Sequence, residues 1–298
     1  MDLPGELPTE AANPSSEGLD RLSPVELVRI MNSEDRVAVE AVERQAEAIA
    51  DAISEIADRL DGGGRLFYVG SGTSGRLGVL DAVECPPTFN TDPELVQGLI
   101  AGGESALVSS VEGAEDDPSA GAADLRQRGL RAGDAVVGIA ASGTTPYVLG
   151  AVGYARELGV WTAGISCNEG APLSQAVACP ITVVVGPEVL AGSTRLKAGT
   201  ATKLVLNTLS TGVMVRLGRT YGNLMVDLRA SNVKLRGRAR RLLAMLTGLN
   251  GAEGEELLDR CGGELKVAVL VARLGVDVDA ARRRLQDCSG HLRRALGQ

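Results

Sequence analysis

Histidine is almost missing from this chain: His291 is the only one in 298 residues. A single imidazole cannot build a His-rich zinc site, and it argues against a Ser-His-Asp triad and against histidine acid–base work. Proton transfer then falls to carboxylates. Aromatic residues are nearly as scarce, with two Phe, four Tyr and one Trp. The five cysteines (Cys85, Cys167, Cys179, Cys261, Cys288) contain no CxxC pair and no metal-ligand spacing. An odd set of this kind reads as free thiols in a reducing compartment. No metal site is expected. Uninterrupted apolar runs of membrane length are also lacking. The longest uncharged stretch, 135–155, is broken by Gly143, Thr144, Thr145 and Pro146, so it reads as strand, loop and helix. The first twenty residues are acidic and bear Pro, Gly and Ser, which fits neither a signal peptide nor a transit peptide. A cytoplasmic protein without membrane association is the expectation.

Abundant small and aliphatic residues stand against these absences: 38 Gly, and 44% hydrophobic residues in all. That composition belongs to a packed α/β protein rather than a disordered one. Residues 1–20 read as a flexible arm. Ser23, Pro24 and Glu26 form a helix start of the capping-box kind. Val37, Val42, Ala46, Ile49, Ile53, Ile56 and Leu60 then recur at near-helical spacing, predicting one long amphipathic helix over 34–60 that stops at Gly62-Gly63-Gly64. Beyond it, short apolar runs at 65–70, 134–140, 160–166 and 181–185 alternate with helical stretches at 76–83, 147–158 and 200–216. Such alternation predicts βαβ units and a parallel sheet covered on both faces. Past residue 228 the charge reverses. Residues 229–298 hold 14 Lys/Arg against 8 Asp/Glu, while 1–228 hold 16 against 30. Short helical segments at 236–246, 253–260, 264–274 and 279–295 predict a small helical appendage. Its basic run at 234–241 is read as a solvated helix face rather than a nucleic-acid surface, because the chain as a whole carries −8 and has no aromatic-rich face.

Two loops carry the chemistry. Gly70-Ser71-Gly72-Thr73-Ser74-Gly75 lies between a strand and a helix and satisfies GxGxxG, the dinucleotide fingerprint. Asp92 and Glu94, the nearest acids at the right distance, fall in a Pro/Asn-rich turn rather than at a strand end. The hydroxyls of Ser71, Thr73 and Ser74 suit a phosphate monoester instead, held by the backbone N–H groups and dipole of a helix N-terminus. Ser142-Gly143-Thr144-Thr145 repeats the device after the 134–140 strand. Ordinary helix capping accounts for either loop alone, whereas two such loops at neighbouring strand ends can converge on one phosphate. Carboxylates flank both. Glu84 precedes Pro86-Pro87, which is expected to stop its helix, and Glu115 lies in an acidic turn beginning at Glu112-Gly113. On spacing alone either acid is equally a solvated helix-end residue.

At this point the residues become familiar. The segments LDAVECPPT (80–88), GLIAGGE (98–104), VEGAED (111–116), GISCN (164–168), LKAGTATK (196–203) and GNLMVD (222–227) closely resemble the N-acetylmuramic acid 6-phosphate etherases, from about Leu19 to the end of the chain. These belong to the sugar-isomerase (SIS) superfamily. The resemblance implies an SIS-type parallel sheet of about five strands with helices on both faces. It also implies a catalytic domain over 21–240, a small helical domain over 241–298, and a homodimer. The implied substrate is a phosphorylated amino sugar whose D-lactyl ether is cleaved without a cofactor, with Glu84 as general acid and Glu115 as general base. Ser71, Gly72, Thr73, Ser74, Ser142, Thr144, Thr145 and Lys197 would hold the substrate. A phosphosugar isomerase and a non-catalytic phosphosugar regulator would share the same fold and loops. One departure stands out: relatives carry Ser-Gly-Arg-Thr-Pro in the second loop, and here Thr144 occupies the arginine position. Arg76, Arg195 and Lys197 are candidates for the missing cation.

Overall fold

A computed structural model describes residues 7–228 and 233–298. The chain divides into two compact units, Met1–Val83 with Glu94–Ser210 and Glu84–Pro93 with Thr211–Gln298. This division comes earlier than the boundary expected at residue 240. The helix Val233–Thr247 contributes Ala239, Leu242 and Leu243 to the core of the second unit, so it belongs there.

The first unit is built on five parallel strands: β1 (Leu66–Gly70), β2 (Val96–Ile100), β3 (Ala135–Ile139), β4 (Trp161–Ser166) and β5 (Cys179–Thr182), in the order β2-β1-β3-β4-β5. Its helices are α1 (Pro24–Glu43), α2 (Ala46–Asp61), α3 (Gly72–Phe89), α4 (Ser105–Val108), α5 (Pro118–Gln127), α6 (Pro146–Glu157), α7 (Pro172–Ala176) and α8 (Lys197–Arg216), of which α3 and α8 run on into the second unit. Every residue of β1 and β3 is buried, which is why these strands read as unbroken apolar runs. Alternation then sorts their side chains. Phe67, Val69 and Val136 meet Leu125 of α5, Tyr147, Val148, Ala151, Val152 and Ala155 of α6 and Leu173 of α7 on one face. On the other, Gly78 lets α3 approach Tyr68 and Ile139 closely. At the amino ends of β1 and β3, Asp134 is fully buried. It accepts from the Arg65 and Arg131 backbone N–H groups (2.9 and 3.0 Å) and pairs with the Arg65 guanidinium at 2.8 Å.

Several expectations need correction. The Ser23–Glu26 capping box is present, but the helix it opens runs through residue 34 and breaks at Arg44-Gln45. The cause is tertiary. The Gln45 side-chain carbonyl accepts from the Thr182 N–H of β5 (3.1 Å), and the Arg44 guanidinium reaches the Val184 carbonyl, contacts that periodicity cannot reveal. Pro86 and Pro87 do not stop α3, which continues to Phe89. Proline's fixed φ is helical, and the bonds it forfeits fall here near the helix end, where Asn90 N–H closes the turn on Pro86 O. Strand β2 went unread because Gln97 and Gly98 interrupt its apolar run. From Leu7 onward the N-terminal segment is pinned rather than loose: Thr9 is fully buried, and Asn13 donates to Glu34 (2.8 Å) and to the Pro187 carbonyl (3.0 Å). Residues 1–6 of the expected arm lie outside the described residues.

The second unit gathers α9 (Val233–Thr247), α10 (Gly251–Arg260), α12 (Val278–Asp287) and α13 (Leu292–Ala295) around α11 (Leu265–Leu274). The last segment, expected as one helix over 279–295, is two helices separated at Ser289-Gly290, both with positive φ. Helix α11 is buried on nearly all sides, including Lys266, whose ammonium donates to Asp227 (2.7 Å) and to the carbonyls of Gly218 and Gly290 (2.9 Å each). Its partners satisfy this buried charge, and removing any of them would leave it uncompensated. The lone histidine, His291, packs against Gly218.

Candidate active site

The connection leaving β1 runs to β2 on one side, and the connection leaving its neighbour β3 runs to β4 on the other. That reversal is where open parallel sheets bind ligands, beyond the carboxyl ends of the strands. Both hydroxyl loops sit there. They share a cavity of about 370 Å³, lined by Ser71, Gly72, Thr73 and Ser74 from the first loop and by Ser142, Thr144 and Thr145 from the second. Glu115 and Asp116, Thr194 and Glu10 complete the lining. The structure therefore brings together seven of the eight residues expected to hold substrate, together with Glu115.

Glycines make the approach possible. A Cβ on Gly75 would lie 2.7 Å from the Gly70 carbonyl oxygen and 2.6 Å from Ile100, so strand end and helix start could not pack this tightly with any side chain. Gly143 has φ +72° and would collide with Ala171. The chain thus turns sharply and directs the N-termini of α3 and α6 at the cavity, where the first-turn N–H groups have no partner within their helices. Thr145 stands at the N-cap of α6, yet its hydroxyl makes no capping bond. Ser71 gives its proton to Glu115 (Oγ to Oε2, 2.8 Å). In the second loop Thr144 N–H and hydroxyl both point to the Ser142 oxygen (3.2 and 3.0 Å). Helix capping therefore does not account for Thr145.

Glu115 lies in a 3-10 turn, Ala114–Asp116, opened by Gly113 at φ 73°. It also borders an adjoining cavity of about 290 Å³, shared with Ser71, Gly72 and Arg76. Glu84 belongs to the second unit and is exposed on the last turns of α3. Lys197 is not among the residues lining the larger cavity. It is 3% exposed and its Nζ is 2.6 Å from Glu34. Arg76 donates to the carbonyls of Leu107 and Ser109 (3.2 Å each), and Arg195 is exposed. Among the described residues, then, three carboxylates and no cation line the larger cavity.

Three supporting groups escaped sequence reasoning. Asn168, completely buried beyond β4, donates to the carbonyls of Ala141 and Ser142 (3.1 and 3.3 Å) and to Thr9 Oγ1 (3.1 Å), so one amide ties the second loop to the N-terminal segment. Glu188 caps α8 by accepting from the Lys197 and Ala198 N–H groups (3.1 and 2.9 Å), and burial pushes its carboxyl above the ordinary range. Glu10 lies in a segment read as loose. Asn168 alone carried a signal, as the last residue of the GISCN segment.

Residues 48–156 match the family model of the glucokinase regulatory protein N-terminal SIS domain. Among solved structures, a phosphoheptose isomerase from Neisseria gonorrhoeae is similar with TM-score 0.51 and 18% identity, over 64% of this chain and 98% of that one, a likeness of fold. Curated relatives named N-acetylmuramic acid 6-phosphate etherase extend over nearly the whole length. The one from Rubrobacter xylanophilus is 58% identical over 99% of this chain and 97% of its own. The one from Rhodopirellula baltica is 52% identical over 98% and 96%, and that from Serratia proteamaculans 54% over 98% and 98%. The chain belongs to the N-acetylmuramic acid 6-phosphate etherase family.

Proposed function

We propose that this protein cleaves the D-lactyl ether of N-acetylmuramic acid 6-phosphate, yielding N-acetylglucosamine 6-phosphate and D-lactate in the recycling of cell-wall amino sugars. One observation carries the reading: the Glu115 carboxylate sits in the same cavity as two hydroxyl loops at the sheet's switch point.

An alkyl ether resists direct hydrolysis because an alkoxide leaves poorly. The open-chain sugar offers another route. Its C1 aldehyde acidifies the C2 proton, and the lactyl oxygen on C3 stands beta to the developing carbanion. Glu115 removes the C2 proton, electrons pass into the C2–C3 bond, and the C3–O bond breaks as Glu84 delivers a proton to the departing lactate oxygen. Water then adds at C3 of the unsaturated aldehyde, and return of a proton to C2 completes the product. The hydrogen bond from Ser71 orients Glu115. The helix N-termini and the hydroxyls of Thr73, Ser74, Ser142, Thr144 and Thr145 hold the phosphate.

The same reading takes the active form as a cytoplasmic homodimer. None of the residues Pro24 to Ser33 on α1 is buried, and Val25, Val28 and Val39 are each more than half exposed, as is Val83 on α3. Exposed apolar faces of this kind mark association surfaces. No helix of the described residues is long and apolar enough to cross a membrane.

The deciding experiment is D-lactate release from N-acetylmuramic acid 6-phosphate in deuterated water. Lactate together with deuterium at C2 of the product supports the elimination route. Tight binding of the phosphosugar without lactate would give the site to an isomerase or a non-catalytic binder.

A further inference from the structure

We propose that Glu10 is a further substrate-contacting residue, one that selects the sugar rather than the phosphate. This rests on the cavity being the phosphosugar site.

Glu10 is held in place from both sides. Just before it, Thr9 is fully buried, its N–H and hydroxyl both engaged by Asn168 (3.4 and 3.1 Å), the same side chain that fixes the second hydroxyl loop. Three residues later, Asn13 donates to Glu34, which in turn receives the Lys197 ammonium at the start of α8. Between these anchors the chain sets Glu10 in the cavity wall, and its carboxylate lies against the Gly192 turn. A Cβ on Gly192 would come within 2.9 Å of Glu10 Oε2. Gly192 has φ +75°, a turn conformation that favours glycine.

A carboxylate in a phosphate cavity needs a reason, because it repels a dianion. An ionised carboxylate only accepts hydrogen bonds, and a phosphate dianion has no proton to give. The remainder of an amino sugar phosphate is rich in donors, namely its hydroxyls and acetamido N–H. The helix N-termini and hydroxyl loops supply donors for the phosphate, and Glu10 supplies an acceptor for the other end of the same ligand. The buried anchors on either side fix the backbone at Glu10 before the ligand arrives, so only the side chain is left to order on binding.

The test uses the full chain, with Glu10→Ala and Glu10→Gln, and calorimetric affinities for two probes, N-acetylglucosamine 6-phosphate and inorganic phosphate. A hydrogen bond to a charged group corresponds to roughly ten- to a hundredfold in affinity. Glu10→Ala should weaken the phosphosugar by at least about tenfold and leave inorganic phosphate unchanged or tighter. Glu10→Gln, which keeps the shape and one acceptor but no charge, should fall between wild type and Glu10→Ala, with unchanged melting temperature. Equal weakening of both probes would make Glu10 a shaping residue of the wall and overturn the proposal. Unchanged or tighter phosphosugar binding would leave it a purely repulsive group and overturn the proposal equally. Failure of the wild-type protein to bind either probe would bring down the cavity assignment itself, and the role of Glu10 with it.

Discussion

Ser71 directs its hydroxyl at Glu115 rather than at the helix it precedes, and that choice separates the two jobs of the first loop. On the proposed function, backbone N–H groups serve the phosphate and the side chain orients the base. Glu115→Gln should therefore lower kcat by about 10²–10⁴-fold while KM changes little. Ser71→Ala, which frees the carboxylate without removing it, should cost about tenfold in kcat. Lactate release across a substrate series measures both, and a KM-dominated loss at Glu115 would make it a binding group. Thr144 invites the opposite experiment. The cavity lacks a lining cation among the described residues, so Thr144→Arg should tighten a phosphosugar by roughly tenfold through a charge-assisted bond. An unchanged affinity would show that the helix termini already satisfy the phosphate. The hydroxyl loops and Glu115 were legible in the chain because their residue types are unusual and local. Lys197 and Glu10 were not, since Lys197 is paired with Glu34 and the neighbour of Glu10, Thr9, is anchored by Asn168, partners more than 150 residues distant in each case.

At the scale of elements, α3 is joined to α8 by one partly buried carboxylate. Asp81 accepts from Ser210 (3.0 Å), with the Tyr68 hydroxyl and the Lys203 charge also nearby, and burial outweighs all three, raising its pKa to about 6. The sign follows from the unfolded value of 3.8. The folded state holds this proton more tightly, so the stabilisation is complete below the unfolded pKa and disappears as pH rises through about 6. Ionised Asp81 then costs on the order of 3 kcal/mol at neutral pH. Asp81→Asn should raise the melting temperature at pH 8 and change it little near pH 4; a uniform shift across that range would refute the titration. Asp134 works in the opposite direction. Removing its carboxylate leaves Arg65 without its partner and two backbone N–H groups unsatisfied, so Asp134→Ala should destabilise by about 3 kcal/mol in chemical denaturation. Strands β1, β3 and β4 were readable because burial on both faces writes itself as an apolar run. Edge strand β2 and the α1–α2 break were not, since each depends on partners that local pattern does not contain.

The whole molecule adds an incomplete surface. The first turns of α1 form a helix with no buried residue, and such a helix has little reason to persist alone, because helices in water draw most of their stability from packing. Val28→Glu should shift the mass measured by light scattering from dimer to monomer; a wild-type monomer at working concentration would remove the association surface. The charge step near residue 228 marked the helical unit from sequence, but the division lies earlier, because charge reports the surface and the unit is defined by its core around α11.

The placement of Asp134 has one more consequence. It fixes β1 and β3 at their amino ends, and the hydroxyl loops leave from their carboxyl ends, so the residues that set folding and those that set ligand choice occupy opposite edges of one sheet. A loop residue at the cavity can then be exchanged without disturbing the contacts that hold the strands in register.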